Sequence, residues 1–217
     1  MVQAIGISRL HYPVKALGPG KRIGIWFQGC SIRCNGCMSR DTWSAARQPT
    51  TLEAVGQRII PWLQEADGVT ISGGEPFDQA VALQGLLAMV HAGRHLPTLV
   101  YSGFAYERLR ARHADILEAV DVLISEPFDR TAAERTLLRG SSNQRVHCLT
   151  AAGEAMWRQA EADGKHGSGA QFDLISEPDG QIWVAGVPAP GDLDRLNDRL
   201  GAAGIALSTS AGRLGRP

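Results

Sequence analysis

Five short apolar runs set the plan of this chain: residues 23–27, 69–72, 98–101, 122–125 and 146–149. Between them lie longer stretches with helical patterning, at 52–65, 79–92, 107–119 and roughly 133–138. In the second of these, Val81, Leu83, Leu86, Leu87 and Val90 fall largely on one helical face. Strands that succeed one another through helices need crossover connections, so the pattern predicts an α/β fold with a parallel sheet. Residues 1–150 carry this core. Residues 151–217 form an extension of different character: a helix-like 153–162, a loop at 163–169, and strands at 172–176 and 181–186 flanking Pro178-Asp179-Gly180, a hairpin turn. Asp192 is placed to cap a helix carrying Leu193, Leu196 and Leu200, with Gly201 or Gly204 at its end. A short apolar 205–208 and a glycine-rich basic tail follow.

Charge excludes several partners. Lys plus Arg and Asp plus Glu both number 22, so the formal net charge is zero. Such a chain has no general electrostatic grip on nucleic acid or on an anionic membrane. No segment approaches the roughly 20 apolar residues of a membrane helix, and the amino terminus lacks a secretory pattern. The expected location is the cytoplasm.

Three of the four cysteines, Cys30, Cys34 and Cys37, sit within eight residues, with Cys148 far away. In a reducing compartment such a cluster holds metal more readily than disulfides. The run 23–27 leads directly into Cys30, so the thiolates leave the carboxyl end of a strand, where α/β folds place their ligands. Three thiolates ligate three irons of a 4Fe–4S cluster and leave the fourth open. Gly29 and Gly36 allow tight backbone around such a cluster. Zinc is the alternative, and it would want a fourth ligand such as His11. Cys148, between apolar residues, reads as a small core side chain. Trp26, Phe27 and Trp43 flank the cysteines and are expected to shield them.

Ser72-Gly73-Gly74-Glu75 also ends a strand, 38 residues from Cys37 to Glu75. Gly73 and Gly74 let a ligand approach the main chain, and Glu75 offers a carboxylate to a cationic amine. On this reading a bulky residue at Gly74 blocks the cofactor and leaves the cysteine loop intact. The plainer reading makes Glu75 a first-turn helix acid favoured by the macrodipole.

With these motifs the chain resembles the radical S-adenosylmethionine (SAM) superfamily, whose hallmark is CxxxCxxC. Within it the chain is most similar to the small activating enzymes of glycyl radical enzymes, particularly the anaerobic ribonucleotide reductase activases. The matching pieces are GPGKR at 18–22, WFQGC, CNGCMSRDTW, ISGGEP at 71–76, YSG at 101–103, SEPF at 125–128 and LRGSSNQR at 138–145. The resemblance implies a partial, open radical SAM β/α barrel, here with a small hairpin–helix extension. It implies a 4Fe–4S cluster on Cys30, Cys34 and Cys37, with the SAM amine held at Gly73, Gly74 and Glu75. By position Ser102 and Ser125 join the cofactor site, while Asn143 and Arg145 either reach the SAM carboxylate or the protein substrate or form a turn in which Arg145 makes a structural salt bridge. It also implies reductive SAM cleavage, no catalytic side chain beyond the cluster, a glycyl radical enzyme as protein substrate, and an electron donor such as flavodoxin or ferredoxin. Two departures stand out. No aspartate accompanies YSG, and Ser125-Glu126 stands where related activases read Asp-Gly before Pro-Phe. The competing readings are a radical SAM enzyme acting on a peptide or small molecule, and a non-catalytic iron–sulfur protein for electron transfer or binding.

Overall fold

The computed structural model describes residues 3–134, 136–163, 172–176, 182–188 and 191–204. The turn Pro178-Asp179-Gly180, the apolar 205–208, the basic tail and most of the 163–169 loop lie outside the described residues. The fold is α/β around a mixed six-stranded sheet. Its strands are β2 (Ile7–Val14), β3 (Arg22–Phe27), β5 (Gly68–Gly73), β6 (Thr98–Tyr101), β7 (Val122–Ser125) and β8 (Arg145–Cys148), adjacent in that order. β3, β5, β6 and β7 run parallel, while the two edges, β2 and β8, are antiparallel to their neighbours. β1 (Ala4–Ile5) pairs separately with β4 (Thr50–Thr51).

The expected parallel sheet is therefore correct for four strands and wrong for the fifth. The stretch 133–138, expected to be a helix, is not one. After a 3₁₀ turn at Arg130–Ala132 the chain makes only an isolated Thr136–Arg139 bridge. With no helix to cross back over the sheet, the chain stays at one end of it and the strand that follows returns antiparallel. The strand β2 was not anticipated at all, because its sequence ISRLHYPV mixes polar residues and a proline. An edge strand tolerates both.

Alternation along the strands sorts the two faces. Ile23, Ile25, Phe27, Val69, Ile71, Val100 and Leu123 point to one core. That core is closed by α1 (Leu52–Leu63), α2 (Ala80–His91), α3 (Tyr106–Arg112) and α4 (Ala114–Leu117). In α2 the buried stripe is Ala82, Leu83, Leu86, Leu87 and Val90, and Val81 is 74% exposed. Val81 lies well off the arc defined by Leu83, Leu86 and Leu87, so Ala82 takes the place expected for it. The single helix expected at 107–119 breaks at His113, whose extended φ of −141° ends α3 before α4 begins.

Leu99, Val122 and Ile124 point to the other face, where α5 (Ala151–Ala162) packs with Met156 and Ala160. The Thr150 hydroxyl caps α5 by accepting from the Gly153 amide at 3.1 Å. Gly153 is required there, because a Cβ would lie 2.0 Å from the Asp121 carbonyl. The hairpin of β9 (Phe172–Ser176) and β10 (Ile182–Gly186) buries Ile175 and Ala185 against Val14, Leu17 and Trp26 on this same face. Asp173 reinforces it by accepting from the Lys15 and Ala16 amides at 2.7 and 2.8 Å. Trp26 thus packs beneath the extension rather than beside the cysteines. The last helix, α6 (Asp192–Ala202), starts one residue from expectation: Gly191, at φ 82°, is the cap and Asp192 lies in the first turn.

Arg22 is fully buried at the foot of β3. Its Nε donates to Thr70 Oγ1 at 2.6 Å, and one terminal nitrogen donates to the carbonyls of Val69 and Pro97 at 2.7 and 2.8 Å. Burial lowers its pKa to about 10. Arg22→Ala strips several buried acceptors at once, and each orphaned acceptor costs about 1–3 kcal/mol. A urea melt is expected to show at least about 3 kcal/mol of lost stability. A loss within error would mean that these bonds carry no net weight.

Candidate metal centre

The candidate centre occupies the carboxyl ends of the parallel strands. As β3 ends at Phe27, the Gly29 amide donates to the Thr42 carbonyl at 2.7 Å and the Cys30 amide to the Trp43 carbonyl at 3.1 Å. These bonds close the cysteine segment into a loop. Gln28 adds two more, donating to the Asp41 and Ser44 carbonyls at 3.0 and 2.7 Å. The loop then crosses the ends of the neighbouring strands. Ser31 donates from its amide and hydroxyl to Asp78 at 2.7 and 2.8 Å. Ile32 packs on Gly103, and Gly36 packs on the Arg130 side chain. Gly29 and Gly36 have φ of 108° and 81°, the left-handed backbone that glycine accommodates freely. Arg33, at φ 53°, adopts it too.

Cys30, Cys34 and Cys37 are all free, partly exposed thiols on this loop. Desolvation raises the pKa of Cys30 and Cys34, and their mutual proximity with Cys37 adds to it. The Phe128 amide acts in the opposite direction at Cys34. A bound cation would act against that shift at Cys30 and Cys34. A soft, three-thiolate donor set at a glycine-permissive loop fits an iron–sulfur cluster.

His11 is no fourth ligand. It pairs with Gly24 in the β2–β3 register, toward the opposite end of β3. Cys148 is equally remote, since it pairs with Val122 at the start of β7 and packs against the second core. Phe27 is buried in the first core, while Trp43 stacks on the Arg40 guanidinium at 4.9 Å.

The Gly73-Gly74-Glu75 segment lies directly against the cysteine loop. The Gly74 amide donates to Phe27 O at 2.8 Å and the Glu75 amide to Gly29 O at 2.9 Å. Gly73 has φ 103°, and a Cβ on it would lie 2.4 Å from the Phe27 nitrogen. A Cβ on Gly74 would lie 2.0 Å from the Gly29 carbonyl. Close approach is indeed what these glycines permit, and here the approaching group is the cysteine loop's own backbone.

Glu75 is 1% exposed. Its carboxylate accepts from the Phe77 amide at 3.0 Å, the Ser102 hydroxyl at 2.9 Å and the Gly103 amide at 2.7 Å. Burial outweighs these donors and raises its pKa to about 7. Glu75 therefore ties the end of β5 to the end of β6, and Ser102 belongs to the same knot, its hydroxyl also accepting from the Phe104 amide at 3.1 Å.

The other sequence-predicted residues meet at the end of β7. Ser125 is buried, with its hydroxyl 3.0 Å from His147 Nε2. Asn143 donates to the Pro127 carbonyl at 2.9 Å. Arg145, half-exposed, pairs with Glu107 at 2.7 Å and reaches Glu126 at 3.7 Å. Glu126 has φ 81°, a conformation that favours glycine, as the Asp-Gly of related activases anticipates. Spacing alone gave no sign of Asp78 or His147. Asp78 acts through a loop 47 residues away in sequence, and His147 through strand register.

Residues 16–147 match the family described as a 4Fe–4S single cluster domain. The chain belongs to that family. Among its relatives is the anaerobic ribonucleoside-triphosphate reductase-activating protein of Salmonella typhimurium, 31% identical over 151 residues, which cover 64% of this chain and 96% of the relative. The protein of the same description from Escherichia coli K12 is 30% identical over 149 residues, with the same shares covered. That of Enterobacteria phage T4 is 28% identical over 147 residues, covering 65% and 90%. The matched family resolves the choice left open between zinc and a cluster in favour of 4Fe–4S. Among the described residues, no helix is long and apolar enough to cross a membrane.

Proposed function

We propose that this chain is a radical SAM activase that uses a 4Fe–4S cluster and SAM to generate a glycyl radical on a partner enzyme, an anaerobic ribonucleotide reductase. One observation carries the reading. Three free thiols lie on one loop at the carboxyl ends of parallel strands, and the residues leading into that loop, Phe27 and Gly29, accept hydrogen bonds from the Gly74 and Glu75 amides. The relatives named above, similar over nearly their whole length, support the choice of partner.

On this reading Cys30, Cys34 and Cys37 would hold the cluster, and SAM would bind beside it. When bound, the cluster and SAM supply a one-electron reductive cleavage to methionine and a carbon radical that takes a hydrogen atom from a glycine. The chain's own work is to bind, orient and exclude. The main chain at Ser72–Glu75 lines the cofactor's methionine end, and the Glu75–Ser102–Gly103 knot fixes that edge against the neighbouring strand. A cationic ammonium nearby favours the ionised form of Glu75, offsetting the burial that raises its pKa. Ser125, Asn143 and Arg145 build the far rim at β7, on the side from which SAM's carboxylate or the protein substrate is reached. We read the sheet as a partial barrel, open enough to admit a protein loop. The electron comes from a flavodoxin- or ferredoxin-like donor in the cytoplasm.

The test is anaerobic incubation of the reconstituted, dithionite-reduced protein with SAM. Release of 5′-deoxyadenosine is the expected result. A reducible cluster that releases none contradicts the proposal and favours a non-catalytic iron–sulfur protein.

A further inference from the structure

At the end of the sheet opposite the cysteines, three side chains converge that the activase reading does not use. His91 closes α2, His95 lies in the turn before β6, and Asp121 immediately precedes β7. One ligand atom of each lies within 4.8 Å of the others. The two imidazole centroids are 4.6 Å apart, and His95 Nε2 is 3.5 Å from Asp121 Oδ1.

Two features make this more than a chance grouping. First, His91 Nε2 is buried and has no hydrogen-bond partner. A buried imidazole nitrogen without a partner is costly, and a metal bond is one of few ways to satisfy it. Second, Asp121 is held before any ligand arrives. Its Oδ2 accepts from the Thr98 amide and hydroxyl at 2.8 and 3.1 Å, and Thr150 donates to Oδ1 at 2.5 Å. Such outer hydrogen bonds orient a carboxylate ligand and preserve its charge.

We propose that His91, His95 and Asp121 form a second metal site for a borderline divalent ion of the zinc class. Two imidazoles and a carboxylate suit zinc, cobalt(II) or ferrous iron, and disfavour the all-oxygen ions magnesium and calcium. His95 is 54% exposed at its side chain, so a water completes the tetrahedron from the solvent side. The ion ties the end of α2 and the turn before β6 to the start of β7. Its role is structural, at the end of the sheet away from the radical chemistry.

The experiment is performed on the full chain with its iron–sulfur cluster reconstituted, dosed with zinc sulfate, desalted and analysed for iron and zinc. The expected result is about one zinc per chain, lost in His95→Ala and in His91→Ala while the iron content stays unchanged. Zinc in roughly hundred-fold excess over its Kd is expected to raise the Tm of the parent by about 5 °C and that of neither variant. The Cys30→Ala/Cys34→Ala/Cys37→Ala chain should retain the zinc, which separates this site from the thiol loop. Because His95 is exposed, its variant keeps the fold even if His91→Ala does not. Zinc absent from the parent, equal in parent and His95→Ala, or lost with the three cysteines would overturn the proposal.

Discussion

Alanine at Cys30, Cys34 or Cys37 is expected to abolish cluster assembly, and alanine at Cys148 to leave it intact. The three loop thiols are the donors available at the carboxyl edge, so the loss of any one leaves too few for a stable cubane. Cys148 is opposite Val122 at the other end of β7, where its loss removes only a small, partly buried side chain. The measurement is iron per chain, with the visible absorbance of the anaerobically reconstituted protein. Each loop variant should fall from about four irons to a small residue of that figure. If Cys148→Ala loses the cluster equally, the ligand assignment fails.

Gly74→Val is expected to be nearly as damaging, although it removes no ligand. Sequence alone reads Gly74 as room for a cofactor, so a larger residue should spare the cluster. The geometry reverses that outcome. A Cβ placed 2.0 Å from the Gly29 carbonyl must push away the residue that precedes Cys30. It would also break the 2.9 Å bond from the Glu75 amide to that carbonyl. Overpacking of this severity costs about 3 kcal/mol or more, and the displaced loop should no longer gather its thiols. A Tm lower by about 6–12 °C is expected, together with substoichiometric iron. Full cluster content and unchanged Tm, with only SAM binding lost, would restore the simpler reading of this glycine.

The parts of the fold that were legible in the sequence are those governed by local pattern. The apolar runs 98–101 and 122–125 coincide with β6 and β7, and the cysteine loop follows β3 directly. The illegible parts depend on tertiary context. β2 forms from a mixed, proline-containing segment because β3 offers it an edge. β8 reverses because the preceding segment bridges Thr136 to Arg139 instead of winding into a helix. The candidate site divides the same way. Cys30, Cys34, Cys37 and the Gly73-Gly74-Glu75 segment were visible as motifs, and the Gly74 and Glu75 amides bond to the Phe27 and Gly29 carbonyls just ahead of Cys30. Glu75 at the start of the Pro76–Gln79 turn matches the plainer reading, since its carboxylate accepts from the Phe77 amide. Its tie to Ser102 and Gly103 was not visible, because those partners belong to the turn after β6. His147 beside Ser125 follows from antiparallel register, which no spacing rule supplies.

The most direct test of the proposed activity joins the chain to its proposed substrate. Reduced, cluster-loaded protein is mixed with SAM and an anaerobic ribonucleotide reductase without oxygen, then frozen for EPR spectroscopy. The account predicts a glycine-centred doublet that depends on SAM and is absent with Cys34→Ala. An intact cluster that cleaves SAM and leaves no radical on the reductase would contradict it.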